Sequence, residues 1–363
     1  MSNNKIRRKH RQKITERINE KKLIRRTKSK AKKKIIKKIK LQAKIKIRKQ
    51  ENYDKKNNEL IFSAPKNFSI ISNPNENIKY FNDIIKTIKN KYYGKITVNF
   101  DIKNIEDISI DAVMYMLALV TNTKIKHNSK GSIPEKKEIR KAFVESGFLS
   151  YINNFKNVII PRNQNKIQIK MSDESNDIRN ICKSIVKFVM KKFEIEKRKI
   201  NFLYGMLYEI MLNTTEHAYN ETDLLNYWYL YVEADEEKVK ISLLDTGEGI
   251  PKTANRKHLE NIKLFGLNND GSIIISAFKG KFRSETKKNW RNKGMPSVFK
   301  CISHENISNF KVISGNYLVS YSVEKHKFNS LKLDYEFIGT LYYWEVDVLK
   351  YKEMIENDKN KCM

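Results

Sequence analysis

Residues 209–219 read Glu-Ile-Met-Leu-Asn-Thr-Thr-Glu-His-Ala-Tyr, and further along the chain comes Asp245-Thr-Gly-Glu-Gly. Between and around these stretches the hydrophobic spacing changes character. Met206, Leu207, Ile210 and Met211 recur at the period of a helix with one apolar face. Asn226-Tyr-Trp-Tyr-Leu-Tyr-Val and Val239-Lys-Ile-Ser-Leu-Leu are rich in β-branched and aromatic residues and read as strands. The order is therefore helix, strand, strand, glycine turn. Glu209 and Asn213, four residues apart, share one helix face. Asp245 closes a strand and enters a turn in which Gly247 and Gly249 let the backbone bend tightly and approach a ligand. An E-x-x-x-N pair alone is an ordinary solvated face, and D-x-G-x-G alone an ordinary turn. The two in this order and at this separation make those ordinary readings hard to hold together.

Those residue types suit a magnesium–nucleotide site. A carboxylate beside a triphosphate orients or deprotonates the attacking water, the role open to Glu209. Mg²⁺ takes oxygen ligands and keeps several waters, so the side-chain oxygen of Asn213 is a suitable ligand. A carboxylate at a pocket mouth accepts a hydrogen bond from the exocyclic amine of a base, the role open to Asp245. This pattern resembles the GHKL family of ATP-binding domains, which includes histidine kinases, gyrase, MutL and the anti-sigma-factor serine kinases. The resemblance implies that Glu209 and Asn213 form a first ATP box, and Asp245, Gly247 and Gly249 a second. Lys279-Gly-Lys-Phe-Arg-Ser-Glu-Thr and Arg291-Asn-Lys-Gly-Met-Pro-Ser-Val look like the nucleotide lid and the helix after it. A helix N-terminus there would suit phosphates. Gly294 is the lid glycine candidate, and Arg283, Arg291 and Lys293 are cations able to pair with phosphate oxygens. The family pattern has more glycines at this place. Phe337-Ile-Gly-Thr-Leu-Tyr-Tyr-Trp-Glu-Val resembles the last family element, a Gly-Thr followed by a strand; Thr340 is open to contact with a phosphate or is simply a strand start. His217, one turn past Asn213, reads as a residue of the helix end. No phosphoacceptor-histidine pattern precedes the Glu209 helix, which argues against a sensor histidine kinase.

Residues 67–151 have a different character. Asn67-Phe-Ser-Ile-Ile and Lys95-Ile-Thr-Val-Asn-Phe-Asp read as strands; Asn77 to Lys91, Ser109 to Val120 and Lys136 to Val144 read as helices. The strand, acidic turn and helix start at Ile108-Ser-Ile-Asp-Ala-Val-Met resemble STAS domains, the fold of anti-sigma-factor antagonists. In such switches a GHKL kinase phosphorylates a Ser or Thr at the start of that helix. This chain has Ile110 at the phosphoacceptor position and Asp111 where a small residue is usual, so Ser109 reads as a helix N-cap and the unit as a docking domain.

Charge is unevenly spread along the 363 residues. The first 50 hold 23 Lys and Arg against two Glu, a balance of +21 out of the chain's +32. They contain no aromatic residue, and no Gly or Pro precedes Pro65. Like charges on neighbouring turns oppose a free-standing helix, and a segment with so partial an apolar stripe is disordered or becomes helical on a partner. Such an arm binds nucleic acid or another polyanion through phosphates, with strong salt dependence and without base stacking. No apolar run is long enough to span a membrane, the basic N-terminus lacks the apolar segment of a secretory signal, and Cys182, Cys301 and Cys362 show no metal spacing. A reduced, cytoplasmic setting fits best.

The expectation is a three-part α/β (α+β) protein. A basic arm (1–56) precedes a STAS-like α/β domain (57–158) that docks onto the ATP-binding module or onto a protein partner. A GHKL-type two-layer α/β sandwich with a mixed sheet (159–355) then binds ATP and Mg²⁺, followed by a short tail (356–363). A helix over Asn176 to Lys191 should precede the Glu209 helix. The expected function is an ATP-hydrolysing conformational switch. The alternatives are a Ser/Thr protein kinase of the anti-sigma type and a non-hydrolysing ATP sensor that binds nucleic acid. A homodimer is compatible with the family, but no heptad seam enforces one.

Overall fold

The computed structural model describes residues 52–54, 59–89, 97–121, 129–152, 163–172, 177–217, 227–282, 294–348 and 350. Of the expected basic arm (1–56), residues 1–51, 55 and 56 lie outside them, and 52–54 form a short strand rather than a helix or a disordered stretch. The chain divides into two compact units, Met1–Ile61 and Phe62–Met363. In the first, strand β1 (Asn52–Asp54) runs antiparallel to the start of β2 (Glu59–Ser63), pairing Asn52 with Ile61 and Asp54 with Glu59.

The second unit is mixed α/β. Its N-terminal part contains two parallel pairings, β3 (Asn67–Phe68) with β5 (Asp107–Ile108) and β4 (Thr97–Asp101) with β6 (Ser129–Gly131). Helices α1 (Pro74–Lys89), α2 (Ile110–Thr121) and α3 (Lys137–Glu145) accompany them. The strand expected over Asn67–Ile71 stops at Phe68 for a physical reason. The Ile70 amide turns aside to donate to the buried Asp111 carboxylate, 2.6 Å away, at the head of α2. Ser109 directly precedes α2, and its hydroxyl donates to the other oxygen of Asp111.

The C-terminal part is built on a five-stranded sheet in the order β10-β11-β9-β8-β7, where β7 is Lys166–Ser172, β8 Trp228–Ala234, β9 Lys238–Asp245, β10 Ile307–Ser322 and β11 Lys327–Asp347. Every pairing in this ladder is antiparallel. Among the described residues the parallel pairings all belong to the N-terminal part, so the mixed sheet expected over 159–355 is antiparallel throughout: short hairpin connections such as that from β8 to β9 reverse the chain direction. Helices α4 (Ile178–Phe193), α5 (Lys197–His217), α6 (Ile250–Leu264), α7 (Asp270–Phe278) and α8 (Gly294–Ile302) complete it.

Alternation along the strands divides the sheet into two faces. Trp228, Leu230 and Val232 of β8 and Val239, Ile241 and Leu243 of β9 share one core with Ile185 and Val189 of α4, Leu203, Met206, Leu207 and Ile210 of α5, Ile274 of α7 and Val298 of α8. The alternate residues Tyr229, Leu244 and Leu341 are equally buried on the other face. That face is covered by α2, which packs on β8 and β9, and whose Thr121 hydroxyl lies 3.4 Å from that of Tyr229. Helix α2 is buried from Asp111 to Leu119. Its apolar character on all sides follows, because it lies between its own α/β elements and the C-terminal sheet. No helix among the described residues is long and apolar enough to cross a membrane.

Candidate functional site

Strand β9 ends on Asp245, in register with Trp228 on one side and Thr340 on the other. Its carboxylate is buried. One oxygen accepts from the Gly247 amide at 3.0 Å, and the Thr340 backbone and hydroxyl also donate to the group. Burial pushes the carboxyl up to about 6; the donors from Gly247 and Thr340 pull the other way but do not offset it. A buried carboxylate with spare lone pairs at the end of a strand is placed to accept from a ligand amine.

The turn after Asp245 is fixed by close backbone approaches. Gly249, with φ +86°, is the N-cap of α6; a Cβ there would lie 2.6 Å from Ser314 Oγ and 2.9 Å from the Gly339 carbonyl oxygen. Ser314 Oγ donates to that same carbonyl at 3.0 Å and accepts from the Ile250 amide at 2.9 Å. Gly339, with φ +101°, passes so close to Asp245 that a Cβ would lie 2.1 Å from the Asp245 backbone oxygen. Ser314 and Gly339 thus tie the start of α6 to β10 and β11. Sequence reasoning missed Ser314. Its only local cue was Gly315 beside it, and its bonding partners lie far away in the chain.

Glu209 and Asn213 lie on α5, as the spacing predicts, and both side chains are partly buried. The Asn213 Nδ2 is shielded from solvent and has no hydrogen-bond partner among the described residues. Gly294 opens α8 directly opposite: a Cβ on it would lie 3.5 Å from Asn213 Oδ1. The glycine expected to belong to a lid therefore presents bare backbone to the expected metal-ligand side chain. The next residue, Met295, has its sulfur 4.0 Å from the Tyr342 hydroxyl, and the Asp245 charge bears on that same buried Tyr342. Glu209 in turn raises the Cys301 thiol from across the α5–α8 contact, although burial is the larger cause there. Tyr342, two residues along β11 from Thr340 and in register with Leu243, thus reaches Met295 beside Gly294.

Glu209, Asn213, Asp245, Gly247, Gly249, Gly294 and Thr340 all fall on described residues. Arg283, Arg291 and Lys293 lie outside them. Thr340 is bonded to the Asp245 carboxylate. His217 is the last residue of α5. Among the described residues no three His, Cys, Asp or Glu side chains come together as a metal cluster. A hard cation at Asn213 would take one amide oxygen from that side chain and its other oxygens from bound phosphate and water. The atom left without a partner is the Nδ2 donor, which fits a hydrogen-bond acceptor on a ligand rather than a cation; leaving it unpaired costs about 1–3 kcal/mol.

The Asp245 environment makes a sign-definite pH effect. Its pKa is raised above the unfolded value, so the fold favours the protonated form, and this group's contribution to stability falls as pH rises from about 4 through about 6. Asp245→Asn removes that titration. Urea unfolding of the two proteins should show the stability difference moving in the variant's favour by on the order of 2–3 kcal/mol between pH 4 and pH 7. A difference independent of pH would show that Asp245 ionises as freely in the fold as in the unfolded chain.

Searched against models of known protein families, the sequence matches none; nor does it match any curated protein.

Proposed function

We propose that residues 159–355 form a GHKL-type domain that binds Mg-ATP and hydrolyses it, and that the protein is a nucleotide-driven conformational switch. The observation that carries this reading is the convergence of three separated stretches. The Glu209–Asn213 face, the Asp245 turn with Thr340, and the bare backbone at Gly294 all lie around Tyr342 at one end of the sheet. Asp245 accepts from the base amine, and Gly247 and Gly249 allow the backbone to follow the ligand. Asn213 gives an oxygen to Mg²⁺, which supplies charge neutralisation at the phosphates when bound. Glu209, one turn before Asn213, orients the attacking water and takes its proton. The amides at the start of α8 face phosphate oxygens as a helix N-terminus does, with Arg283, Arg291 and Lys293 as cations near that point in the chain.

The basic arm is assigned to polyanion binding on its +21 balance, the STAS-like part to docking a protein partner, and the setting to the cytoplasm. The rival activities, protein phosphorylation and nucleotide sensing without hydrolysis, share the binding site and differ in what happens to the γ-phosphate. Purified wild type and Glu209→Ala are incubated with labelled Mg-ATP, and both ADP and protein-bound label are followed. The switch requires ADP release that falls by about 100-fold or more in the variant, with nucleotide binding kept and no label on protein. Label on this chain or an added partner would move the assignment to a kinase. Tight binding without turnover in wild type would leave a sensor.

A further inference from the structure

The α/β elements at 62–152 do more than cover the back of the sheet. They hold β11 at one short stretch, Asp334–Ile338, immediately before Gly339 and Thr340. The Tyr115 hydroxyl, on α2, donates to the Ile338 carbonyl at 3.2 Å. The Tyr115 ring packs on Phe337 with centroids 5.0 Å apart, and Phe81 of α1 packs behind it at 4.7 Å. Asn82 Nδ2 donates to the Glu336 carbonyl at 2.9 Å, and the Asp334 amide donates to Asn75 Oδ1 at 3.0 Å. Both Tyr115 and Phe337 are buried. On its other side, the Glu336 carboxylate pairs with Lys252 in the first turn of α6 at 2.6 Å.

This stretch sits where the candidate site is least tolerant of movement. Gly339 touches the Asp245 backbone, its carbonyl takes the Ser314 hydroxyl, and Thr340 bonds the Asp245 carboxylate. A displacement of Ile338 by a few tenths of an ångström therefore reaches the base-recognising group through a single glycine. We infer that Tyr115 and Asn82 are positioning residues, through which the STAS-like part sets the geometry of the Asp245–Thr340 wall and hence the affinity for adenine nucleotide. The inference rests on the nucleotide reading above and adds to it a mechanical route from the docking domain to the site. A partner that shifts α1 or α2 would change nucleotide affinity by this route, and by linkage nucleotide would change the partner's affinity by the same factor.

Tyr115→Phe keeps the ring against Phe337 and removes only the hydroxyl; Asn82→Ala removes the second contact. Two measurements are made on the full chain. Hydrogen exchange without nucleotide is expected to speed up at the amides of 338–341 in each variant while the α4–α5 core exchanges as in wild type. Titration with Mg-ATP is expected to show affinity about three- to tenfold weaker in each, with the discrimination between ATP and GTP reduced, a change that general loss of stability would not produce. Unchanged exchange and unchanged affinity would overturn the inference, as would weaker affinity without altered exchange at 338–341. If wild type binds no adenine nucleotide, the nucleotide reading fails separately. The mechanical route is then judged by exchange alone: faster exchange at 338–341 upholds it and unchanged exchange rejects it.

Discussion

Gly339→Ala is expected to lower the stability of the protein by about 4 kcal/mol, a large part of what holds a domain folded. Two costs add. At φ +101° an L-residue is strained by roughly 1–3 kcal/mol. The new methyl would also lie 2.1 Å from the Asp245 carbonyl oxygen and 3.2 Å from the Thr246 Cα, both backbone atoms that cannot rotate away. Overpacking of that kind adds about 1–3 kcal/mol. Gly205→Ala is the matched control. Gly205 lies inside α5, and a Cβ there meets nothing within 4 Å. It should gain up to about 1 kcal/mol from helix propensity. Urea unfolding of both variants beside wild type gives the comparison. Equal midpoints would mean that β11 does not cross Asp245 as closely as described.

Asp245→Ala is expected to lose binding of adenine nucleotide by about 100-fold or more while the fold persists. The carboxylate is buried at the end of β9 and accepts from Gly247 and Thr340. A pocket built to accept a hydrogen bond from a base amine loses selectivity as well as affinity when the acceptor goes, because the donors left behind are unpaired. ATP and GTP should therefore bind the variant about equally, while wild type prefers ATP. Calorimetric titration at neutral pH reads both quantities. Retained preference for ATP would remove Asp245 from base recognition. This variant leaves Glu209 and Asn213 in place, so it separates the base recognition proposed for Asp245 from the water and metal roles proposed for those two residues.

Much of this arrangement was legible in the sequence, and the reasons are physical. The stripe of Met206, Leu207, Ile210 and Met211 marked α5 because one face of that helix is buried on the sheet. The run ending at Asp245 marked β9 because the apolar Val239, Ile241 and Leu243 alternate with Lys240 and Ser242, the period of a strand. Gly249 of the Asp245 turn was legible because its conformation and close approaches leave little choice of residue. What escaped was set by contacts distant in sequence. The reach of β11 back to Lys327 was hidden by its polar first half, where Asn329 to Lys332 are exposed. Thr340 was legible as a strand residue but not as a partner of Asp245, because register depends on how β11 lies against β9. Asp111 looked like an intrusion at the head of a helix. In the fold it accepts from Ile70 and Ser109, a role visible only once the chain has turned back on itself. The grip of Tyr115 on Ile338 joins residues 223 positions apart and left no local mark.

The central claim is that nucleotide sits against Asp245 and Thr340, and ATP binding alone does not test it. ATP is itself a polyanion, and the first 50 residues carry +21. The direct measurement is photo-crosslinking of the full chain with an azidoadenine nucleotide and Mg²⁺, followed by peptide mapping with and without excess ATP. The expected result is label within the peptides carrying Asp245–Gly249 and Gly339–Thr340, competed by ATP and absent in Asp245→Ala. Label confined to residues 1–50, or label that excess ATP does not displace, would contradict the account.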